Sequence, residues 1–330
     1  LCQPTMYLIS LGKFERMKMT HATKMGLLGL LTFLCISCGG EEKDPQDTPP
    51  TQETTTETKP WFDISLAQWS VHKALYDGKM TNMDFPQVAK DSFGITAVEY
   101  VSRFFEGNET NTEYLTELKK KTDALGVRNV LIMVDGEGEL GATDPTDRQK
   151  AVENHYKWVD AAAFLGCHSI RVNAGGDGPA RAVQAAVVNS LSRLGAYAAT
   201  KNINVIVENH GGNSSNGQWL ADIMTQVNRD NVGTLPDFGN FCLDGSPKDC
   251  PTPYDRYQGM EELLPFAKGV SAKSYNFDPE GNETKIDFDR MMQLVKAAGY
   301  AGYVGVEYEG DTLGEFAGVR ATKALLERYQ

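Results

Sequence analysis

The sequence of 330 residues lacks a cluster of basic residues, since 44 acidic residues outnumber 32 lysines and arginines and the formal net charge is −12. A nucleic-acid groove normally needs a basic stripe, so this composition argues against a nucleic-acid partner. The chain also lacks a Gly-x-Gly-x-x-Gly fingerprint directly after its first predicted strand. That absence argues against an open, doubly wound nucleotide-binding sheet.

The N-terminal segment has the pattern of a secretory signal peptide. Lys18 and Lys24 precede the apolar run GLLGLLTFLCIS at 26–37, and small residues follow it. The run is too short to cross a bilayer as a helix. We therefore predict a signal peptide over residues 1–38. Within it, residues 1–16 can be an over-extended start that is not translated.

The end of this segment, CISC at 35–38, resembles a bacterial lipobox and makes Cys38 the predicted lipidation site. A plain signal peptide and an uncleaved anchor are the alternatives. Residues 39–60 are rich in Pro, Thr and Glu and predict a solvated tether. The acidic pair Glu41-Glu42 resembles the surface-export signals of Bacteroidetes lipoproteins, or is simply part of a solvated linker. We expect an exported protein on the periplasmic or cell-surface side, held to the membrane only by its lipid.

The remaining cysteines fit an oxidising compartment. Cys242 and Cys250 flank the turn-rich loop LDGSPKD, and we predict a disulfide between them, with two free thiols as the alternative. Cys167 precedes a predicted strand and is expected to be a buried apolar residue.

From residue 61 onward, apolar runs of strand length alternate with amphipathic helical segments. Eight strand–helix units in this length predict a single (β/α)8 TIM-barrel domain over residues 61–330. The predicted strands are 62–69, 95–101, 127–134, 168–173, 203–208, 232–236, 269–273 and 303–307.

Polar residues follow or end most of these strands. Because active sites of such barrels lie at the carboxyl ends of the strands, we expect these side chains to line one mouth. Burying so many polar groups would be costly unless they have partners. They are Gln68, Ser70, His72, Glu99, Arg171, Asn173, Glu208, His210, Asp237, Ser271, Lys273, Glu307 and Glu309.

Three of these residues, Glu208, Asp237 and Glu307, bring carboxylates from strands five, six and eight to the same rim. Like charges that crowd together need a cation or protons. One divalent metal is the simplest cation. Carboxylate oxygens favour Mn²⁺ or Mg²⁺, whereas an imidazole ligand would favour Co²⁺ or Zn²⁺.

Several segments together resemble the xylose isomerase-like TIM-barrel superfamily of sugar isomerases, sugar epimerases and endonuclease IV-type AP endonucleases. The segments are SLAQWS, VENHGGNSS, PDFGNF, VSAKSYNF and GYVGVEYEG, and the resemblance covers the whole of 61–330. It implies a metal held by Glu208, Asp237 and Glu307. The family's histidine ligand falls on Ser271, and Asn240 stands where many relatives carry a substrate-facing histidine.

The serine at this position leaves three interpretations open. A hard metal can be held by the three carboxylates, with water or Ser271 completing its shell. Lys273 can instead balance the carboxylates without a metal. In the third interpretation the metal is lost and the barrel only binds sugar.

The resemblance implies a sugar isomerase or epimerase that works through an enediolate on a non-phosphorylated sugar. Glu208 and Glu307 resemble the pair that moves protons on opposite faces of the sugar, and Lys273 is a candidate electrophile or proton donor. One alternative is a 3-keto-glycoside lyase or hydrolase that uses the same enolisation. Another is a non-catalytic carbohydrate-binding lipoprotein. Scarce histidine and acidic charge argue against the nuclease branch.

The other candidates are substrate-binding residues, each with a structural alternative. Trp69 can stack on a sugar or pack in the core, and His72 and His210 can contact hydroxyls or support neighbouring groups. Arg171 can bind substrate or pair with a carboxylate such as Glu208. Glu99 can face the sugar or form an ion pair with Arg171.

Overall fold

A computed structural model describes residues 59–245 and 247–330. The predicted signal peptide, the lipidation site Cys38 and the predicted tether up to residue 58 lie outside the described residues. In the described part, strands and helices alternate along the chain as the sequence predicts.

Eight strands form one parallel sheet in the order β6-β5-β4-β3-β2-β1-β8-β7. The β6 and β7 ends of the sheet are joined by isolated bridges between Thr234 and Ala267 and between Asp237 and Ser271. The sheet therefore nearly closes into a barrel, which confirms the predicted fold class. The strands are β1 (Asp63–Ala67), β2 (Ala97–Val101), β3 (Arg128–Met133), β4 (Ser169–Val172), β5 (Asn204–Glu208), β6 (Val232–Leu235), β7 (Val270–Ser274) and β8 (Tyr303–Tyr308).

Helices follow the strands on the outside of the barrel. They are α1 (His72–Tyr76), α2 (Phe85–Phe93), α3 (Thr112–Leu125), α4 (Pro145–Leu165), α5 (Ala180–Ala199), α6 (Gly217–Val227), α7 (Arg256–Leu263), α8 (Phe288–Ala297) and α9 (Glu315–Glu327). Short 3₁₀ turns lie at Gln68–Val71, Ser102–Phe105, Gly212–Ser215 and Leu264–Phe266. Within the described ranges, no helix combines the length and apolar character needed to cross a membrane.

Local chemistry sets the ends of the helices, as α4 illustrates. The Asp144 side chain accepts the backbone N–H groups of Thr146 and Asp147 at the helix start, and Pro145 occupies the first turn. The helix stops at Gly166, whose φ of 80° lies in the left-handed region that glycine adopts at low cost. The helices α2 and α3 end in the same way, at Gly94 and Gly126.

The apolar core has an outer and an inner part. Val205 and Val207 of β5 belong to the same buried cluster as Leu191 of α5, so this layer fills the space between strands and helices. Ile206 lies in a second buried cluster with Leu235. Because side chains alternate along a strand, Ile206 and Glu208 share the barrel's inner face, and apolar residues underlie the polar mouth.

The predicted cysteine pair is joined in the structure. Cys242 and Cys250 form a disulfide, with their Cα atoms 5.7 Å apart, across the loop that follows β6. Cys167 is a free and buried cysteine, as expected from its apolar surroundings.

Candidate active site

Three buried carboxylates meet at the carboxyl end of the barrel. Glu208 is the last residue of β5, Asp237 follows β6, and Glu307 lies near the end of β8. One oxygen from each side chain comes within 4.8 Å of an oxygen from each of the others. None of the three residues is more than 5% exposed. At these separations the negative charges require compensation by protons or a cation.

The inner face of β7 places a hydroxyl and an ammonium group among these carboxylates. Ser271 Oγ lies 2.8 Å from Asp237 Oδ2 and 2.7 Å from Glu307 Oε2, and its single proton can be donated to only one of them at a time. Lys273 Nζ lies 3.4 Å from Glu307 Oε1, 3.6 Å from Glu309 Oε1 and 3.8 Å from Asp237 Oδ2. Lys273 is only 2% exposed, so its charge is compensated almost entirely inside the protein.

Asn240 links the lysine to the first carboxylate. Its Oδ1 accepts from Lys273 Nζ at 3.3 Å, and its Nδ2 donates to Glu208 Oε1 at 3.0 Å. Its backbone N–H and that of Gly239 donate to Asp237 Oδ1 at 2.8 and 2.7 Å. A Cβ at Gly239 would lie 2.9 Å from Lys273 Cδ, so glycine leaves room for the lysine stem. The turn after β6 therefore holds both the carboxylate and the ammonium in place.

Arg171 supplies the second buried cation. Its Nη1 lies 2.7 Å from Asp135 Oδ1, and its Nε lies 2.8 Å from Glu208 Oε2. Asn173 also donates to Asp135 Oδ1, at 2.8 Å. Asp135 was not among the residues predicted from the sequence, although its position two residues after β3 is that of a rim residue. Of the two roles left open for Arg171, the structure shows the carboxylate pairing.

Glu99 does not make the ion pair with Arg171 that the sequence left open. Ser65 Oγ donates to Glu99 Oε1 at 2.5 Å, and a Cβ at Gly305 would meet the same carboxylate at 2.8 Å. The side chain is thus held between β1 and β8, in the barrel interior. Burial raises the pKa of Glu99 to about 8, although the Ser65 hydrogen bond opposes this shift.

Burial also raises the pKa values of Glu208 and Asp237, against the opposing charges of Arg171 at Glu208 and of Lys273 at Asp237. Glu307 differs. Burial acts in the same direction there, but the Lys273 ammonium and the Ser271 hydroxyl outweigh it and lower the pKa of this carboxyl. The two candidate proton-transfer groups, Glu208 and Glu307, therefore have pKa values shifted in opposite directions.

The donor set fits a divalent cation chemically. Glu208 Oε2 is buried and has no hydrogen-bond partner among the described residues, because the nearby Nε–H of Arg171 is not directed at it despite the 2.8 Å separation. Arg171 therefore compensates the charge of this oxygen without a directed hydrogen bond, which leaves the oxygen able to accept a further ligand. Three carboxylates provide the oxygen ligands that Mg²⁺ and Mn²⁺ prefer.

A cavity of about 340 Å³ opens beside this cluster. Its lining residues are Trp69, Val101, Arg103, Asp135, Arg171, His210, Glu307 and Glu309. Trp69 and His210, predicted from the sequence, therefore reach the cavity, whereas Arg103 was not foreseen. His72 packs against Trp69, with ring centroids 4.5 Å apart and its Nδ1 2.6 Å from the Trp69 carbonyl oxygen. A larger depression of about 530 Å³ lies along the loop between β3 and α4, away from the carboxylate cluster.

Comparisons with known proteins agree with this architecture. The family model of the xylose isomerase-like TIM barrel matches residues 86–329. Inosose dehydratase of Clostridium botulinum (strain Alaska E43 / Type E3) is 22% identical over 264 residues, which cover 70% of this chain and 87% of that protein.

Two solved structures share the fold at low identity. D-psicose 3-epimerase, solved in the presence of D-fructose, has a TM-score of 0.62 and 11% identity, covering 81% of this chain and 99% of its own. The IOLI protein with a bound zinc atom has a TM-score of 0.61 and 13% identity, covering 81% and 98%. Proteins that share this fold thus include a sugar epimerase and a protein with bound zinc, and the relative matched by sequence is a dehydratase.

Proposed function

The chain belongs to the xylose isomerase-like TIM-barrel family, and on that premise we propose that it is an isomerase or epimerase of a non-phosphorylated sugar. The reaction would pass through an enediolate, with the help of a divalent metal. One observation carries the proposal. Glu208 and Glu307 lie in the same buried cluster, and their pKa values are shifted in opposite directions.

Moving a proton at a carbon next to a carbonyl requires one group that accepts it and another that returns it. Glu307, with its lowered pKa, is ionised near neutrality and is the candidate base. Glu208, with its raised pKa, holds a proton more readily in the metal-free site and is the candidate acid, whereas it would be ionised while it holds a metal. Carboxyl groups whose environments separate their pKa values are the pattern expected of an acid–base pair. Lys273, beside Glu307, can stabilise negative charge that develops on a substrate oxygen.

Glu208, Asp237 and Glu307 would hold the metal, with Ser271 at the edge of its shell. A bound divalent cation supplies Lewis-acid stabilisation of negative charge at the carbonyl and hydroxyl oxygens. The carboxylate donors favour Mn²⁺ or Mg²⁺, while Co²⁺ and Zn²⁺ are also compatible with mixed oxygen sites. The IOLI protein, which shares this fold, was solved with a bound zinc atom, and this supports the proposal of a metal in the present chain.

The cavity also favours a neutral substrate over a sugar phosphate. Asp135, Glu307 and Glu309 line it, and the guanidinium group of Arg171 already contacts Asp135 and Glu208. A phosphate dianion placed there would face three carboxylates and two arginines, of which Arg171 is already compensated and Arg103, exposed at the rim, contacts the Tyr76 hydroxyl. Sugar hydroxyl groups, by contrast, can donate to the same carboxylates.

Hydrogen exchange tests the proposal directly. Keto-sugars, including 3-keto-glycosides, are incubated with the protein and Mn²⁺ or Mg²⁺ in D₂O and followed by NMR. We expect deuterium at the carbon next to the carbonyl, and loss of this incorporation in Glu208→Gln and Glu307→Gln. The variant Glu117→Gln, on the outer helix α3, is the control. Sugar binding without exchange would instead identify a non-catalytic carbohydrate-binding protein.

Elimination is the second candidate function, because the curated relative is a dehydratase. The same proton removal can expel a leaving group from the carbon beyond the enolised one, as in cleavage of a 3-keto-glycoside. The two reactions differ in product. An epimerase returns an isomer of equal mass, whereas a lyase releases water or an aglycone alcohol, which mass spectrometry distinguishes.

We also propose export and lipid anchoring through Cys38, on the sequence pattern alone. Expression in a bacterial host with labelled palmitate should give a membrane-associated, labelled protein. Cys38→Ala should lose both the label and the membrane association. An unlabelled wild-type protein would instead favour one of the two alternatives, a plain signal peptide or an uncleaved anchor.

A further inference from the structure

We infer that the catalytic cavity continues into a second sugar-binding position on the barrel rim, so that the substrate is a glycoside rather than a free monosaccharide. The position is an aromatic ledge formed by Trp69, His72, Tyr76 and Phe104, with Arg103 beside it. This inference rests on the proposed function, since it assumes that the reacting sugar occupies the cavity. It extends that function by naming the class of substrate.

The four rings of the aromatic ledge pack against one another, with Tyr76 exposed, Trp69 and His72 partly buried, and Phe104 only 9% exposed. Trp69 stacks on His72 with centroids 4.5 Å apart, and its centroid lies 6.4 Å from that of Tyr76 and 6.5 Å from that of Phe104. Tyr76 and Phe104 are 5.4 Å apart. Three of the rings come from the segment after β1 and one from the segment after β2. Adjacent strands of the barrel therefore build the ledge at its carboxyl end.

The ledge is continuous with the catalytic cavity through two residues that belong to both. Trp69 and Arg103 line the cavity, and the Arg103 guanidinium lies 5.9 Å from the centroid of the Trp69 ring. Arg103 Nη1 also donates to the Tyr76 hydroxyl at 2.8 Å. A ligand that fills the cavity and extends outward past Trp69 would therefore meet Arg103 and then Tyr76.

Tyr76 is the residue that packing alone does not explain. It is 55% exposed, compared with 40% for Phe164 and 37% for Leu313, the other large apolar side chains that the structure leaves open to solvent. A single exposed aromatic residue usually needs no explanation. Tyr76, however, is oriented by Arg103 and stands at the edge of a ring cluster that reaches the cavity. Its exposed surface is thus available to a ligand that is already anchored in the barrel.

The chemistry of the ledge suits a second sugar ring. The C–H face of a pyranose is an apolar surface that can pack on an aromatic ring, while its hydroxyl groups need hydrogen-bond partners at the rim. Arg103 has five N–H donors, of which one contacts Tyr76, and Glu309 provides an acceptor on the cavity wall. A purely apolar ligand would leave the remaining N–H donors of Arg103 unused.

Binding of unreactive sugars to the full chain tests the inference. NMR titrations compare glucose with cellobiose, maltose, laminaribiose and sophorose as probes. We expect at least one disaccharide to bind about tenfold more tightly than glucose, as one aromatic–sugar contact would allow. Tyr76→Ala should remove this advantage and leave glucose binding unchanged. Tyr76→Phe, which keeps the ring, should retain most of it.

Phe164→Ala, which truncates an exposed aromatic residue on α4, is the matched control and should change neither affinity. Thermal unfolding of each variant checks that the fold is retained. The inference is wrong if no disaccharide binds more tightly than glucose, or if Tyr76→Ala preserves the advantage. If the wild-type protein showed no deuterium exchange, the proposed enzyme function would be wrong but the inference about the ledge would stand. The titration measures binding and does not depend on catalysis.

Discussion

The ammonium group of Lys273 lies 3.4 Å from Glu307 Oε1, inside the same carboxylate cluster that would hold a metal. This contact bears on two of the interpretations that the sequence left open, a metal held by the carboxylates and a lysine that balances their charge. The cluster has the donors for a divalent cation, yet a lysine already contributes a positive charge to it. Lysine and metal are therefore expected to compete for the same negative charge.

Removing this lysine should strengthen metal binding. In Lys273→Met the carboxylates lose a cation 3.4 to 3.8 Å away, so we expect Mn²⁺ affinity to rise by about tenfold or more. Mn²⁺ titration followed by electron paramagnetic resonance measures the affinity without relying on activity. Lys120→Met, on the exposed face of α3, is the control for net charge. Equal affinities in Lys273→Met and wild type would show that the lysine does not compete.

Removing the second buried cation should destabilise the protein. Arg171→Met leaves Glu208 and Asp135 without their ion pairs, and we expect the free energy of unfolding to fall by about 3 kcal/mol. Urea denaturation measures this change, with the exposed Arg181→Met as control. Adding Glu208→Gln to Arg171→Met should recover part of the loss. A double variant no more stable than Arg171→Met would argue against this explanation.

Glu99 should make stability depend on pH. Because its pKa in the folded protein is raised from 4.5 to about 8, the folded state binds a proton that the unfolded state releases between these values. Stability from this group is complete below pH 4.5 and is lost as pH rises through 8. The free energy of unfolding of Glu99→Gln, relative to that of the wild type, should therefore rise by on the order of a few kcal/mol between pH 5 and pH 8.5. Paired melting curves at both pH values measure the difference, and a constant difference would contradict the shift.

The disulfide should contribute measurably to stability. A cross-link between residues separated by 8 positions is expected to stabilise the fold by about 2 kcal/mol through loss of chain entropy in the unfolded state. Dithiothreitol should therefore lower the urea midpoint of the wild type. The Cys242→Ser/Cys250→Ser variant should be as unstable as the reduced protein and insensitive to the reductant, since the remaining cysteine in the described part, Cys167, is buried.

Most of the fold was predictable because it depends on local patterns. All eight predicted strands are present, although β1, β3, β4, β5 and β7 begin one residue later than predicted and β2 begins two residues later. Strand boundaries were less certain because apolar character continues into the adjoining turns, as at Phe62 before β1. The site was predictable in part, since its carboxylates stand at strand ends. Asp135 was missed although it stands two residues after β3, and Arg103 was missed because it lies in a short 3₁₀ turn with no periodic signal.

The sequence by itself determined the barrel, the mouth at which polar groups gather, and the carboxylates Glu208, Asp237 and Glu307. These follow from alternation along strands and from parallel topology, which act over a few residues at a time. Only the tertiary structure decided which charge faces which. Lys273 could be assigned to Glu307, and Arg171 to Glu208 and Asp135, only from interatomic distances across strands. Such pairings depend on the curvature of the closed sheet and on the direction of each side chain. The spacing of residues along the chain predicts neither.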